Sequence, residues 1–140
     1  MVDLVVGTKG KGKTKCMLDK ANNSVNKING SIVFMDRNYN HMYELDRNIR
    51  LIDTSNYFIY SPDAFIGFIE GVISQNKDIE LFYIDGFLKL ACIDLDESFE
   101  YAVESLEKIS EKFNIKFVLS VSKEKDDIPE SLKSKINIAL

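Results

Sequence analysis

The chain has 140 residues, 45% of them apolar and 29% charged, a balance that fits one soluble globular domain. Its formal net charge of −4 leaves no overall basic footprint of the kind that duplex nucleic acid attracts. Cys16 and Cys92 are far apart and have no Cys-x-x-Cys partner, and the single histidine, His41, supplies too few ligands for zinc; both facts argue against zinc and disulfide frameworks. No apolar run approaches the roughly 20 residues of a membrane span. The opening MVDLVV has neither a basic segment nor a small-residue cleavage site, and with two thiols this sets the expectation of a reducing cytoplasm.

The first element is a short buried strand over 2–6, VDLVV. A loop rich in lysine and glycine follows it. Met17, Leu18, Ala21, Val25 and Ile28 then recur at three- and four-residue steps, which predicts a helix over 13–28 with one buried face. Asn29-Gly30 reads as its left-handed end. SIVFMD, 31–36, is a second strand. Between 37 and 60 both IRLID (49–53) and YFIY (57–60) look extended, and either could join a sheet. Ser61-Pro62-Asp63 has the hydroxyl cap, first-position proline and early acid of a helix start, and Phe65, Phe68, Ile69, Val72 and Ile73 mark that helix's inner face.

IELFYID, 79–85, is apolar at consecutive positions, as in a parallel strand covered on both faces. Residues 97–113 form an amphipathic helix through Phe99, Val103, Leu106, Ile109 and Phe113. KFVLSVS (116–122) is a strand, 129–134 a short helix and KINIAL (135–140) a last strand. Strands alternating with helices predict an α/β domain with a mainly parallel sheet of five or six strands between helical layers.

Residues 7–14, GTKGKGKT, match the phosphate-loop pattern G-x-x-x-x-G-K-[ST] at every fixed position. Glycines let backbone N–H groups converge on phosphate oxygens, and the helix that opens near Lys13 points its positive end at the anion. Lys13 would reach the β- and γ-phosphates, and the Thr14 hydroxyl would bind Mg²⁺. The expected nucleotide-binding residues are Gly7, Thr8, Lys9, Gly10, Lys11, Gly12, Lys13, Thr14 and Lys15. Of these, Lys9, Lys11 and Lys15 occupy no fixed position and add local positive potential.

On this loop and the alternating architecture, the chain resembles the P-loop NTPases, in their additional-strand, RecA-like branch. It is also similar to short bacterial ATP-binding proteins of about this length, some of them labelled twitching-motility ATPases. The resemblance implies a three-layer fold of strand order 5-1-4-3-2, with a strand inserted between the glycine-loop strand and the strand of LFYID. It implies that Asp85, which ends that strand, is the second Mg²⁺ ligand beside Thr14. Lys13 and Asp85 would then be the catalytic pair. The residue after Asp85 is Gly86, where that branch often has a catalytic glutamate; Asp36, ending the second strand, or Glu44 could stand in. Ser120 or Ser122 could sense the γ-phosphate.

The only arginines are Arg37, Arg47 and Arg50. Small P-loop kinases usually carry lid arginines late in the chain, and this chain has only Lys123 and Lys125 there, which lack the guanidinium fork. Asp36-Arg37 nonetheless resembles an acceptor-binding pair of such kinases. The expected function is Mg²⁺-dependent binding of ATP or GTP with slow or partner-stimulated hydrolysis. The alternatives are a kinase acting on a nucleoside or small metabolite, and a nucleotide-stabilised interaction module without turnover. ATP is favoured over GTP, because SKEKDD (122–127) is only a poor echo of an N/T-K-x-D base-reading segment. The aromatic, arginine-bearing 37–60 segment could supply an arginine finger, stack a base, or contact a second copy or a protein partner.

Overall fold

The structure, a computed structural model, describes all residues 1–140. Six strands carry the apolar runs: β1 (Val2–Val6), β2 (Ser31–Asp36), β3 (Ile49–Asp53), β4 (Ile79–Ile84), β5 (Lys116–Val121) and β6 (Ile136–Ala139). The helices between them are α1 (Lys13–Ser24), α2 (Pro62–Gln75), the single turn α3 (Phe87–Leu90) and α4 (Asp96–Phe113). All strand pairs are parallel, in the order β3-β2-β4-β5-β1-β6.

Side-chain alternation along β1 shows how the layers form. Val2, Leu4 and Val6 point into one core with α2, α3 and α4, which holds Phe65, Phe82, Phe87, Phe99 and Phe117. Val5 points into a smaller core on the opposite face, with Met17, Leu18 and Ala21 of α1. A sheet buried on both faces needs apolar residues at successive positions, which is why LFYI carries no polar alternation. Each fully buried phenylalanine contributes about 1.5–3 kcal/mol of burial free energy. No helix is long and apolar enough to cross a membrane.

The strand order differs from the expected 5-1-4-3-2. IRLID, not YFIY, joins the sheet, pairing outside β2 with Asp36 opposite Asp53, and becomes an added edge strand. The strand expected between the glycine-loop strand and the LFYID strand is present as β5, which pairs with both β1 and β4. YFIY stays irregular because Tyr57, Phe58 and Tyr60 project outward, at 51%, 86% and 79% exposure.

Two helix ends also differ. α1 stops at Ser24, whose hydroxyl bonds back to Lys20 O at 2.8 Å, a local competitor of the helical ladder. Gly30 therefore does not cap it and is not left-handed. Its role is close approach: a Cβ there would fall on the Asp78 carbonyl oxygen and 2.8 Å from Glu80 Cγ. α2 starts as expected, with Ser61 Oγ accepting the Ala64 N–H at 3.1 Å and Pro62 in the first turn. Its inner face is Phe65, Ile66, Ile69 and Ile73, with Phe68 and Val72 half-buried. In α4, Phe113 lies at the end and is exposed, while Phe99, Val103, Leu106 and Ile109 are buried. The segment expected as a short helix at 129–134 is a 3-10 helix over Glu130–Lys135.

Candidate functional site

In a parallel sheet every strand delivers its C-terminal end to the same edge, and ligands bind there. β1 leads into the glycine loop, β2 ends in Asp36, β4 is followed directly by Asp85, and β5 carries Ser120 near its end. These ends enclose a cleft of about 640 Å³ that has a single apolar residue, Leu88, in its lining.

The glycine loop leaves β1 at Gly7, whose N–H donates to Val121 O at 3.3 Å. Gly10 and Gly12 have φ of 87° and 95°, left-handed backbone that side-chain-bearing residues avoid. Gly12 is the N-cap of α1 and offers no side-chain acceptor, so the first amides of the helix remain available to an anion. The Lys13 ammonium folds back onto the loop and donates to Thr8 O at 3.1 Å. Only 8% of Lys13 is exposed. Burial lowers its pKa, and the negative charge of Asp85 offsets part of that shift; in so desolvated a place a bound anion would interact strongly with the ammonium.

Thr14 donates from Oγ1 to Asp85 Oδ2 at 2.9 Å. The other carboxylate oxygen, Oδ1, accepts from Ser120 Oγ at 2.6 Å, and Ser120 Oγ accepts the Gly86 N–H at 2.7 Å. Gly86 holds φ of 79°, which turns the chain sharply after Asp85 into α3. Ser120, 1% exposed, thus orients Asp85 and is not a free hydroxyl, whereas Ser122 is exposed and lines the cleft.

Asp36 lines the same cleft as Lys13, Thr14 and Asp85. Arg37 donates its backbone N–H to Asp36 Oδ1 at 2.6 Å. Burial raises the Asp36 pKa; the Arg37 N–H and His41 oppose this, and the Asp85 and Asp53 charges add to it. Glu44 is not brought to the cleft. It sits in a 3-10 turn, hydrogen-bonded to the His41 ring, beside a separate, smaller hollow that Thr14 and Lys15 also border.

Of the other expected contacts, Lys9, Gly10, Gly12 and Lys15 line the cleft, and Lys15 also pairs with Asp19 at 3.4 Å. Lys11 is exposed outside it. Arg37 is part of the lining; Arg47 and Arg50 are not. Leu88 and Lys89 are further lining residues that pattern reasoning passed over. The one sequence cue was a glycine, Gly86, before FLKL, a run too short for helical periodicity to register.

Thr14 and Asp85 present two hard oxygen donors within hydrogen-bond distance of each other, the kind of pair Mg²⁺ takes from a protein when phosphate and water complete its shell. No group of three or more His, Cys, Asp or Glu side chains is placed to hold a metal without such help. Compared with protein-family models and with curated proteins, the chain matches none, so the functional reading rests on this cleft.

Proposed function

We propose that the cleft binds Mg²⁺ and a nucleoside triphosphate, ATP or GTP, and that the chain hydrolyses it slowly or on contact with a partner. The observation that carries this reading is the hydrogen bond between Thr14 and Asp85, with Lys13 desolvated in the same cleft. A lysine-rich turn on a solvated surface would bury neither the ammonium nor the carboxylate. In the bound state the glycine-loop amides and the end of α1 would receive the phosphate oxygens, and Lys13 would reach the terminal phosphates. Thr14 and Asp85 would hold Mg²⁺, which neutralises phosphate charge.

Asp36 is the carboxylate best placed to orient or deprotonate an attacking water. It lines the cleft, and its raised pKa brings a carboxylate nearer the range a general base needs. No glutamate follows Asp85, so slow intrinsic turnover is expected. The test is calorimetric titration of Mg-ATP and Mg-GTP into the full chain, together with a phosphate-release assay. Binding of neither nucleotide overturns the reading. Binding without release favours the interaction-module alternative.

A further inference from the structure

Strand β3 has a partner on one side only: it pairs with β2, and no strand lies beyond it in the sheet. No loop or helix closes its outer edge. Apart from the ladder with β2, the one backbone bond to the strand is local, from the Ile49 N–H to Asp46 O at 2.9 Å. An outer row of N–H and C=O groups is therefore open to a further strand.

A hollow of about 450 Å³ lies beside this strand, where it faces α2. Residues 50–53 all border it, and successive strand side chains point to opposite faces, so the hollow reaches backbone as well as side chains. The rings of Tyr57 and Phe68, with centroids 5.0 Å apart, border it too. So does Gly71, in the interior of α2. A Cβ at Gly71 would meet nothing within 4 Å, so internal packing does not require glycine there, although glycine weakens a helix interior relative to alanine. Its bare backbone keeps the hollow open. Arg50 points to the same face as Ile52, is exposed, and forms no ion pair. The one carboxylate bordering the hollow, Asp53, is buried, and its Oδ1 accepts from the Ser55 N–H at 2.9 Å and the Ser55 hydroxyl at 2.6 Å.

We propose that β3 and this hollow dock an extended, acidic segment of a partner protein. The segment adds a strand outside β3, brings a carboxylate to Arg50 and lays an apolar side chain against Tyr57 and Phe68. Charge selects this occupant over a second copy of the chain. The same edge of a second copy would bring another Arg50 and no carboxylate except the buried Asp53, so like charges would meet. The inference deepens the proposed function by giving the chemistry of the partner. It rests on that reading only for an effect on turnover, since Tyr39 borders the hollow and follows the cleft residues Asp36 and Arg37 on one loop. Docking itself requires no nucleotide.

The test is therefore made without one. Random peptides displayed on phage are selected on the immobilised full chain, and the enriched peptides are synthesised and titrated into the ¹⁵N-labelled protein. Enriched peptides are expected to carry Asp or Glu among β-branched and aromatic residues. They should shift the amides of 49–53 and 68–75 with a dissociation constant of about 10–100 µM. Arg50→Glu, or an amide in place of the peptide's carboxylate, should weaken binding about tenfold. Gly71→Leu is the second variant: its Cβ has open space, so the fold is kept while the hollow is filled, and binding should fall at least tenfold. The proposal is overturned by no enrichment, by peptides without an acidic preference, by shifts confined to residues 7–15, or by full affinity in a correctly folded Gly71→Leu. A concentration-dependent dimer of the free chain that shifts 49–53 assigns the edge to a second copy and overturns it as well. Titration with Mg-nucleotide in the absence of peptide shows whether the proposed function stands, so the two can fail independently.

Discussion

Thr14 and Asp85, 71 positions apart in the chain, are joined by a hydrogen bond of 2.9 Å from Oγ1 to Oδ2. The helix that opens after the glycine loop is thereby tied to the end of β4, across β5, which lies between β1 and β4 in the sheet. Under the proposed function this pair is the Mg²⁺ seat. Asp85→Asn keeps the shape and removes the charge. Nucleotide affinity measured with Mg²⁺ is expected to fall about tenfold or more, and to approach the affinity measured with EDTA. A variant whose affinity still rises on Mg²⁺ addition as in the parent removes Asp85 from that role.

Lys13→Ala takes away the one ammonium buried in the cleft. Calorimetry is expected to show Mg-nucleotide affinity reduced about a hundredfold or beyond reach, since charge-assisted bonds in desolvated sites are the strong ones. The melting temperature should hold or rise, because the buried ammonium is itself costly to desolvate. Unchanged affinity would mean that the glycine loop binds something else.

Ser120 serves two partners at once, the Asp85 carboxylate and the Gly86 N–H. Ser120→Ala leaves both without that partner in a buried place, at a cost of about 1–3 kcal/mol in urea unfolding. Affinity for Mg-nucleotide should weaken in parallel as Asp85 loses its orientation. If stability drops and the Mg²⁺ dependence of binding is untouched, Ser120 is structural only.

Asp36 gives a pH signature. Its pKa in the folded state lies above the ordinary carboxylate value, chiefly through burial. The folded protein therefore holds this proton to higher pH than the unfolded chain does. The stability it contributes is full below the ordinary carboxylate range and is lost as the pH rises through the raised value. Asp36→Asn should be more stable than the parent near neutrality, with the gap closing as the pH is lowered toward 4. Urea midpoints across that window decide it; a gap independent of pH contradicts the burial. Phosphate release by the same variant should fall if Asp36 handles the attacking water.

Gly30→Ala tests close packing away from the cleft. The added methyl would meet the Asp78 carbonyl and Glu80, so the 29–31 turn must separate from the start of β4. A loss of about 1–3 kcal/mol is expected, with nucleotide affinity preserved.

Much of this was legible before any coordinates. GTKGKGKT stood out because it matches the phosphate-loop pattern at every fixed position, and LFYID because a strand buried on both faces has no polar alternation. Local covalent geometry and side-chain size dictate both signals. What sequence reasoning could not decide was which of IRLID and YFIY enters the sheet. Both have strand propensity, and only the space beside β2, with Asp36 opposite Asp53, chose the first. Nor could it separate Asp36 from Glu44. Neither has a diagnostic spacing, and the choice falls to the parallel sheet, which carries every strand's end to one edge and leaves Glu44 in a turn outside the cleft. The pairing of Asp85 with Ser120 came from the same source. Ser120 lies 35 residues further along the chain, and no local pattern links the two; β5 inserting beside β4 brings the hydroxyl under the carboxylate. Residue types and short-range spacing are written in one dimension, whereas which carboxylate is buried, shared or free is a property of the packed sheet edge.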